Sequence, residues 1–355
     1  MRIMFVVATL RYGGAERVVS ILSKELIASG NEVGIYLTSP FTESAYSLDS
    51  NVNIFASQRV RKKLGLLKHI RRTVKKYNPD VVVPFMVYQY IYTALALLGT
   101  KYPVVVCERN DPNAFRDSGF FRLLARDLSF LVSKGAVFQS YGARNCFCKS
   151  IQNKSVVILN PLDINTMPIP FEGERENRIV TVGRLTKQKN HTLLIRAFSN
   201  VSLEFPNIIL EIYGDGPDLE ELQSLTRDLG ISERVLFKGN VSDVFEKIKS
   251  AKLFAFSSDY EGLPNALVEA LSMGMPCIST DCSPGGARSL INDGENGVLV
   301  PVKDVSAFSN ALKLLLSDKD YASKIGSNAL KLREKVASSY IASQWLNYFE
   351  IIINK

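Results

Sequence analysis

The fold is decided by the stretch Arg178-Ile-Val-Thr-Val-Gly-Arg-Leu-Thr-Lys-Gln-Lys-Asn-His191, which continues as an amphipathic segment to Glu204. Its first five residues form a short β-branched run of the kind found in buried strands, and Thr192–Glu204 has apolar residues at helical spacing. A glycine, Arg184 and Lys189 lie between strand and helix. The stretch therefore predicts a βα unit whose turn binds an anion such as a diphosphate, with a solvated basic turn as the alternative.

The same alternation extends in both directions along the chain. Continuous apolar strands separated by helices are typical of parallel sheets that are covered on both faces. We therefore predict an α/β protein with two doubly wound domains. Further strands are predicted at Arg2–Ala8, Glu32–Thr38, Asp80–Phe85, Val104–Glu108, Ile208–Tyr213, Arg234–Phe237, Leu253–Phe256, Pro276–Ser279 and Gly297–Val300.

The domain boundary is predicted within Pro161–Glu176, where prolines and a glycine cluster. A length of 355 residues suits two domains of ordinary size. The predicted first domain is 1–165 and the second 166–337. The last helix must bury an aromatic face, so we expect residues 338–355 to cross back onto the first domain. The residues of that face are Trp345, Tyr348, Phe349 and Ile351.

Composition excludes several classes of protein. With 46% hydrophobic and 22% charged residues, the chain is neither disordered, collagen-like nor a coiled coil. Five cysteines without a C-x-x-C favour a reducing compartment, and two histidines are too few to complete a structural metal site, so no metal is expected.

Charge is shared unevenly along the chain. Residues 1–170 hold 22 Lys or Arg and 11 Asp or Glu, a net of +11, whereas 171–355 hold 21 and 24, a net of −3. This favours a first domain that faces an anionic surface or polymer, with an uneven but solvated surface as the alternative. No RNA- or DNA-binding motif is present, so nucleic acid is not an expected partner.

A second constellation is Glu261-Gly-Leu-Pro-Asn-Ala-Leu-Val-Glu269. Pro264 suits the first turn of a helix, which places Glu261 in the preceding loop and Glu269 inside the helix. The amides of residues 262, 263 and 265 then form an anion-binding helix start. The helical rise puts the carboxylates roughly 8–12 Å apart, too far for the roughly 5 Å pair of a retaining hydrolase. Each carboxylate is therefore expected to bind a different hydroxyl-bearing group; the alternative is that Glu261 caps the helix and Glu269 lies on the surface.

The dinucleotide-binding fingerprint is missing from both domains, because the glycines at 13–14 and 214–216 lack the G-x-G-x-x-G spacing.

Arg59–Lys76 holds nine Lys or Arg and no acid, with an apolar stripe from Val60 to Val74. This pattern predicts a helix for an anionic membrane surface. A second such helix follows Phe120, with Arg122 and Arg126. The alternative for both is a core-facing helix with a basic outer face.

Several of these motifs resemble the retaining GT-B glycosyltransferases of family 4. The carboxylates at 261 and 269 match the family's E-x7-E motif, and Gly183–Asn190 matches its G-R-L-x-x-x-K-N turn. The Gly13-Gly14-Ala-Glu16 turn matches its N-terminal glycine loop. Glu108–Pro112 and Ser279–Gly286 look like bacterial capsule and O-antigen enzymes, above all N-acetylgalactosaminyl- and galactosyltransferases. The resemblance covers essentially the whole chain and implies two Rossmann-like domains facing a central cleft.

The resemblance also implies residue roles. Arg184 and Lys189 would stabilise the departing UDP diphosphate, Glu261 would hold the donor sugar's 3- and 4-hydroxyls, and Glu269 would accept hydrogen bonds from the ribose. The remaining substrate contacts implied are Gly13, Gly14, Arg109, Gly183, Gly239, Asn240, Gly262, Leu263, Pro264 and Asn265. Arg109 departs from the family pattern, because many relatives have His at that point. The basic helices suggest contacts with the acceptor diphosphate or the membrane through Arg71, Arg72, Lys75, Lys76, Arg122 and Arg126.

The predicted function is a metal-independent, retaining hexosyltransferase of surface polysaccharide biosynthesis (capsule, O-antigen or lipopolysaccharide). It would move a sugar, GalNAc or Gal by preference, from UDP to a polyprenyl-diphosphate-linked saccharide. The UDP-sugar is a co-substrate, and no cofactor is expected. The enzyme would be cytoplasmic and peripheral on the inner face of the membrane. The alternatives are a UDP-sugar epimerase of the same fold and a non-catalytic polysaccharide- or lipid-binding protein.

Overall fold

The computed structural model of the protein describes residues 1–11, 13–40, 43–57, 63–114 and 119–354. The chain divides into two compact units. Unit 1 comprises Met1–Asp163 and Val336–Lys355, and unit 2 comprises Ile164–Lys335. These limits lie within two residues of the boundaries predicted at 165 and 337.

Unit 1 contains a parallel sheet of strands in the order β3-β2-β1-β4, which continues through parallel bridges into β5-β6-β7. Its strands are β1 (Arg2–Val7), β2 (Glu32–Leu37), β3 (Asn53–Ala56), β4 (Val81–Pro84), β5 (Val105–Cys107), β6 (Gly135–Phe138) and β7 (Ser155–Val157). Its helices are α1 (Gly14–Ala28), α2 (Lys63–Tyr77), α3 (Val87–Leu97), α4 (Phe120–Val132), α5 (Tyr141–Asn145), α6 (Lys149–Gln152) and, from the chain end, α14 (Ser338–Ile353).

Unit 2 contains a six-stranded parallel sheet in the order β10-β9-β8-β11-β12-β13. Its strands are β8 (Glu176–Val182), β9 (Ile209–Tyr213), β10 (Val235–Gly239), β11 (Ala251–Phe256), β12 (Cys277–Thr280) and β13 (Val298–Val300). Its helices are α7 (His191–Ser202), α8 (Leu219–Asp228), α9 (Val244–Ile248), α10 (Asn265–Ser272), α11 (Val305–Ser317), α12 (Lys319–Ala329) and α13 (Leu332–Val336).

Both sheets have the doubly wound order. The first strand of each sheet lies in the middle, the next strands are added toward one edge, and the later strands are added toward the other edge. The prediction of parallel strands covered by helices is confirmed in each unit. Strands β3, β6 and β7 were not predicted, because they are short and their apolar runs are weak. After β12, Ala287–Ser289 form a three-residue 3-10 turn.

The terminal helix α14 belongs to unit 1, as predicted. Trp345 and Phe349 are fully buried against α1 and the sheet, and Trp345 stacks on Phe85 with a centroid distance of 6.1 Å. Ile351 does not share this burial and is 51% exposed, so the prediction for that residue was wrong.

The other face of the unit 1 sheet is covered by α2, α3 and α4. Ile70 and Val74 of α2 are fully buried in that cluster, with Leu66 and Leu67 packed beside them. From Leu66 to Val74 the apolar stripe of α2 therefore packs on the core, and its prediction as a membrane-facing stripe was wrong there, whereas Leu64 at the start of the helix is 74% exposed. Residues 59–62 of the predicted segment, Val60 included, lie outside the described ranges.

Candidate functional site

The candidate site lies where the strand order of unit 2 reverses, between β8 and β11. The loops that leave two such strands diverge to opposite faces of the sheet and open a crevice at the strands' carboxyl ends. The loop after β8 is the turn 183–190, and the loop after β11 holds residues 257–264. The topology thus brings together the two constellations that the sequence singled out.

The two loops are joined by hydrogen bonds. Ser257 Oγ donates to the Lys189 carbonyl at 2.9 Å, and the Asp259 amide donates to the Gln188 carbonyl at 2.8 Å. Asn190 Nδ2 donates to Asp259 Oδ1 at 2.7 Å, while the Asn190 side-chain oxygen caps α7. The position of Lys189 is therefore set by the neighbouring loop as well as by its own turn.

Lys189 and Glu261 form an ion pair, with Nζ 2.5 Å from Oε1. Ser258 Oγ donates to the same carboxylate oxygen at 3.2 Å, and Nζ lies 4.9 Å from the centroid of the Phe256 ring. The side chains of Lys189 and Glu261 are 21% and 12% exposed. The pair is oriented by its surroundings and remains reachable by a ligand, which is the arrangement that preorganised charge stabilisation requires.

Arg184 is exposed on the same turn, directly after Gly183. Gly214, which follows β9, packs against that turn with a φ of +131°. A Cβ at Gly214 would collide with the carbonyl oxygen of Gly183. The Gly214–Gly216 motif, weak as a sequence signal, therefore supports the turn that carries Arg184 and Lys189.

Glu269 lies inside α10 and is 2% exposed. The alternative that it is a surface residue is wrong. Pro264 stands immediately before the helix rather than in its first turn, and Asn265 is the first helical residue. Gly262, Leu263 and Pro264 are buried, and the Glu261 amide donates to the Ser283 carbonyl at 2.9 Å.

Gly286 holds the loop after β12 against this helix start. A Cβ at that position would collide with the carbonyl oxygen of Gly262. Gly239 and Asn240 follow β10, and the Gly239 carbonyl accepts from the Gly214 amide at 2.8 Å. Asn240 is exposed. Gly239 and Asn240, both predicted as substrate contacts, thus lie next to the Gly214 turn.

Two further groups in unit 2 have shifted pKa values. His191 is 3% exposed; burial, with a contribution from the neighbouring Lys189 charge, lowers its pKa to about 4. Burial, together with the nearby Glu261 carboxylate, raises the pKa of the Cys282 thiol to about 12. Both groups are uncharged near neutrality, and the charged side chains of the two loops include Arg184, Lys189, Asp259 and Glu261.

In unit 1 the predicted glycine loop begins α1. The Gly13 amide donates to Tyr46 Oη at 3.1 Å, and the Tyr46 hydroxyl donates to the Gly13 carbonyl at 2.9 Å. Gly14 is exposed as the first residue of the helix. The backbone of Gly13 is therefore held by a side chain of its own unit, whereas Gly14 remains accessible.

Arg109, predicted as a substrate contact, is buried inside unit 1. Its Nη1 donates to Asn160 Oδ1 at 2.5 Å, and its guanidinium lies 4.7 Å and 5.8 Å from the ring centroids of Phe85 and Trp345. Burial lowers the pKa of Arg109. The side chain links β5 to the aromatic core under α14, a structural position.

Glu108 is buried beside it. Its carboxylate accepts hydrogen bonds from Tyr90 Oη at 2.9 Å and from the amides of Arg109 and Asn110 at 3.0 and 3.1 Å. Burial raises the pKa of Glu108. Glu108 thus uses its carboxylate inside unit 1, whereas Arg109 Nε and Nη2 are buried without a hydrogen-bond partner among the described residues.

The residues predicted for the acceptor or the membrane divide into two groups. Arg126 is buried, donates to the Pro112 carbonyl at 2.9 Å and pairs with Asp127, so its assignment to a binding surface was wrong. Arg71 is half-buried and donates to the carbonyls of Ala96 and Leu98. The exposed members are Arg72, Lys75, Lys76 and Arg122.

Sequence reasoning missed the residues that join the two loops of the site, namely Ser257, Ser258 and Asp259. The signal available was their position directly after a predicted strand. Their roles depend on which strand is the neighbour of β11, and that pairing is not encoded locally. Within the described ranges, no group of three or more His, Cys, Asp or Glu side chains could hold a metal ion.

Comparison with known proteins agrees with this geometry. The model of the family described as "Glycosyl transferases group 1" matches residues 165–332, and that described as "Glycosyltransferase Family 4" matches residues 12–165. Together these matches span residues 12–332. The fold and the site define a GT-B glycosyltransferase.

The relatives include one that matches from end to end. A Campylobacter jejuni protein named GalNAc-α-(1→4)-GalNAc-α-(1→3)-diNAcBac-PP-undecaprenol α-1,4-N-acetyl-D-galactosaminyltransferase is 29% identical over 100% of this chain and 99% of its own. The crystal structure of Anabaena HepE in complex with UDP superposes with a TM-score of 0.81 at 20% identity, covering 99% of this chain and 100% of that one. Sucrose-phosphate synthase from Thermosynechococcus elongatus superposes with a TM-score of 0.85 at 17% identity, covering 99% of each chain. The chain belongs to glycosyltransferase family 4 and is a hexosyltransferase.

Proposed function

We propose that the protein transfers a hexose or an N-acetylhexosamine, GalNAc or Gal by preference, from a UDP-sugar to a polyprenyl-diphosphate-linked oligosaccharide, with retention of the anomeric configuration. The observation that carries the proposal is the Lys189–Glu261 pair at the strand reversal of unit 2, with Arg184 exposed on the same turn. The full-length Campylobacter relative, named for transfer to such an acceptor, supports the acceptor class.

Arg184 and Lys189 are proposed to receive the charge that develops on the leaving UDP. Two cations on one turn suit a diphosphate, since guanidinium can bind it through two hydrogen bonds and ammonium through a point charge. An ammonium has three N–H donors, of which the Glu261 contact uses one. Lys189 can therefore bind a phosphate oxygen without releasing Glu261.

The two carboxylates are proposed to divide the donor between them. Glu261 is partly exposed in the loop, where it can accept hydrogen bonds from the 3- and 4-hydroxyls of the donor sugar. Glu269 is buried within α10 and is assigned to the ribose hydroxyls. The backbone around Gly262–Asn265 is assigned to sugar and phosphate, and Gly239 and Asn240 to the base. Arg109 is left out of the proposed site, because its side chain is buried against the rings of Phe85 and Trp345 inside unit 1.

The acceptor and the membrane concern unit 1. Within the described ranges no helix combines the length and the apolarity that crossing a bilayer requires. We propose peripheral association with an anionic leaflet, in which the exposed cations of α2 lie near lipid headgroups or the acceptor diphosphate. These cations are Lys68, Arg72, Lys75 and Lys76. Each Lys or Arg near such a surface contributes about 1 kcal/mol.

A thermal-shift panel of UDP, GDP and their sugars tests the donor assignment. A ligand at about 100 times its Kd stabilises the native state by about 2.7 kcal/mol. UDP and its matching sugar should raise the melting temperature, and GDP should not. A preference for GDP would contradict the donor class.

Product analysis then separates transfer from the alternatives. Incubation with the matching UDP-sugar and a lipid-linked or short synthetic acceptor should yield an α-linked product, and EDTA should leave the rate unchanged. Conversion of the UDP-sugar into its epimer would identify an epimerase. Ligand stabilisation without transfer or hydrolysis would identify a binding protein.

A further inference from the structure

Helix α4 presents an apolar face to the outside of unit 1. Phe120 and Phe121 are 73% and 83% exposed. Further along the helix four more apolar side chains are each between 44% and 54% exposed: Leu124, Leu128, Leu131 and Val132. Residues 121, 124, 128 and 131 recur at helical spacing and form one stripe. Only the opposite side of α4, around Phe130, is buried in the core.

This face continues onto the end of α3. A depression of about 110 Å³ between the ends of the two helices is lined by Leu98, Lys101, Val132 and Lys134, among others. Leu95 and Leu98 are 54% and 58% exposed. We call the exposed apolar residues of α4 together with Leu95 and Leu98 the α3–α4 face.

Cations surround the α3–α4 face. Lys101 and Lys134 are exposed at its edge, and Arg122 is exposed on α4 itself. Helix α2 lies on the other side of α3, to which Arg71 ties it by donating to the carbonyls of Ala96 and Leu98 at 3.4 and 3.5 Å. The outer side of α2 adds Lys68, Arg72, Lys75 and Lys76. Across α2, α3 and α4 the single acidic residue is Asp127, which pairs with Arg126.

We propose that the α3–α4 face is the surface through which this protein enters the headgroup region of an anionic membrane leaflet, with the cations of α2 beside it contacting lipid headgroups. This inference deepens the peripheral association proposed above and rests on it. It assigns the apolar contact to α4 and α3, because Ile70 and Val74 of α2 are buried in the core. Aromatic and leucine side chains on one helix face, flanked by Lys and Arg, form the pattern of an interfacial helix.

The occupant is inferred from charge. A second copy of the chain would bring the same basic surroundings against this face, and the like charges would repel. An anionic leaflet has negatively charged headgroups next to an apolar layer. The headgroups match the cations around the α3–α4 face, and the apolar layer matches its exposed apolar side chains.

The experiment is flotation of the full chain with vesicles of phosphatidylcholine, with and without phosphatidylglycerol. The test variant is Phe121→Ser combined with Leu124→Ser. The control is Leu203→Ser, which removes a leucine that is 88% exposed in unit 2. We expect the wild type and the control to bind the anionic vesicles alike, and the test variant to bind at least about tenfold more weakly, with an unchanged melting temperature. Equal binding by test variant and wild type overturns the inference.

A fluorescence measurement places the face in the lipid directly. The chain has one tryptophan, Trp345, which is fully buried. In a Phe121→Trp variant, brominated anionic lipids should quench the added indole, while wild-type emission stays unquenched. Absence of quenching in vesicle-bound variant, or a dimer that Phe121→Ser dissociates, would assign the face to another occupant and contradict the inference.

Transfer assays keep this inference separable from the proposed function. The test variant should retain wild-type transfer to a short acceptor without lipid and lose transfer to acceptor embedded in vesicles. A wild type that binds vesicles but transfers no sugar would contradict the proposed function and leave the docking surface standing. A wild type that transfers sugar but does not bind anionic vesicles would contradict the docking surface and leave the proposed transfer activity standing.

Discussion

The two units share one topology but use the carboxyl ends of their strands differently. In unit 2 the ends of β8 and β11 carry Arg184, Lys189 and Glu261, whose side chains are exposed or partly exposed. In unit 1 the end of β5 carries Glu108 and Arg109, which are buried. Glu108 accepts hydrogen bonds from Tyr90 and two amides, whereas Arg109 donates one to Asn160 and its Nε and Nη2 have no hydrogen-bond partner among the described residues.

The difference shows how the same residue types serve ligand binding in one place and structure in another. Burying a charge is costly unless it is hydrogen-bonded or otherwise stabilised. Glu108 has three hydrogen bonds, and Arg109 has one hydrogen bond and the ring faces of Phe85 and Trp345, so we assign both to the scaffold. A charge held at the surface by its neighbours keeps hydrogen-bonding capacity for a ligand. On this ground Arg184 and Lys189 are assigned to the reaction, and Arg109 is not.

The largest effect is expected from removing one cation of unit 2, which tests whether the exposed charges of that unit act in the reaction. We expect Arg184→Ala or Lys189→Ala to lower kcat by roughly 10²- to 10³-fold, as loss of one preorganised donor does. The matched control is Lys187→Ala on the same turn, whose side chain pairs with Glu221 and Asp218 instead. A Lys189→Ala enzyme as active as Lys187→Ala would remove Lys189 from the mechanism.

The two carboxylates of unit 2 should separate in their effects. Glu269→Gln should weaken UDP binding by roughly 10- to 100-fold, the value of a charged hydrogen bond. Glu261→Gln should weaken transfer more than UDP affinity. Calorimetry with UDP alone measures the first effect, and steady-state kinetics the second, with Glu233→Gln as an exposed control. Equal loss of UDP affinity in both variants contradicts the division.

Arg109 provides the reverse test. Arg109→Ala should lower the free energy of unfolding by about 2–3 kcal/mol, because it removes one hydrogen bond to Asn160 and the buried side chain that packs on Phe85. UDP affinity should stay at the wild-type value. Arg122→Ala, an exposed change in the same unit, should leave stability unaltered. If Arg109→Ala kept its stability and lost activity, Arg109 would belong to the site.

The smallest expected effect is a pH dependence of stability from His191. Its native pKa of about 4 lies below the ordinary value of 6.5, so the unfolded chain binds the proton and the native state does not. Stability should therefore fall as pH falls from 6.5 toward 4, by at most about 1.4 kcal/mol per pH unit. Urea unfolding between about pH 7 and 5 measures this dependence, and the free energy of unfolding of His191→Gln should change less with pH than that of the wild type. An unchanged slope would mean that His191 does not titrate in this way.

Much of this protein was determined by local sequence. Period-two and buried runs separated by amphipathic helices specify a βα alternation, and the glycine- and proline-marked turns at Gly183 and Pro264 fall where the structure has them. The spacing of Glu261 and Glu269 put one carboxylate before a helix and the other inside it. These features depend on residues close together in the chain, so periodicity and turn chemistry suffice.

Tertiary structure decided which of these residues face ligand and which face core. An apolar stripe at helical spacing is mostly buried on α2, at Ile70 and Val74, and mostly exposed on α4. Helix α2 lies over the sheet with this side inward, whereas α4 packs on that core around Phe130. Likewise, Arg109 is a scaffold residue because the returning helix α14 brings Trp345 against it from the far end of the chain. Amphipathic spacing predicts that a helix has an apolar side and a polar side. Which element covers the apolar side depends on residues far away in the chain, so a local pattern cannot predict it.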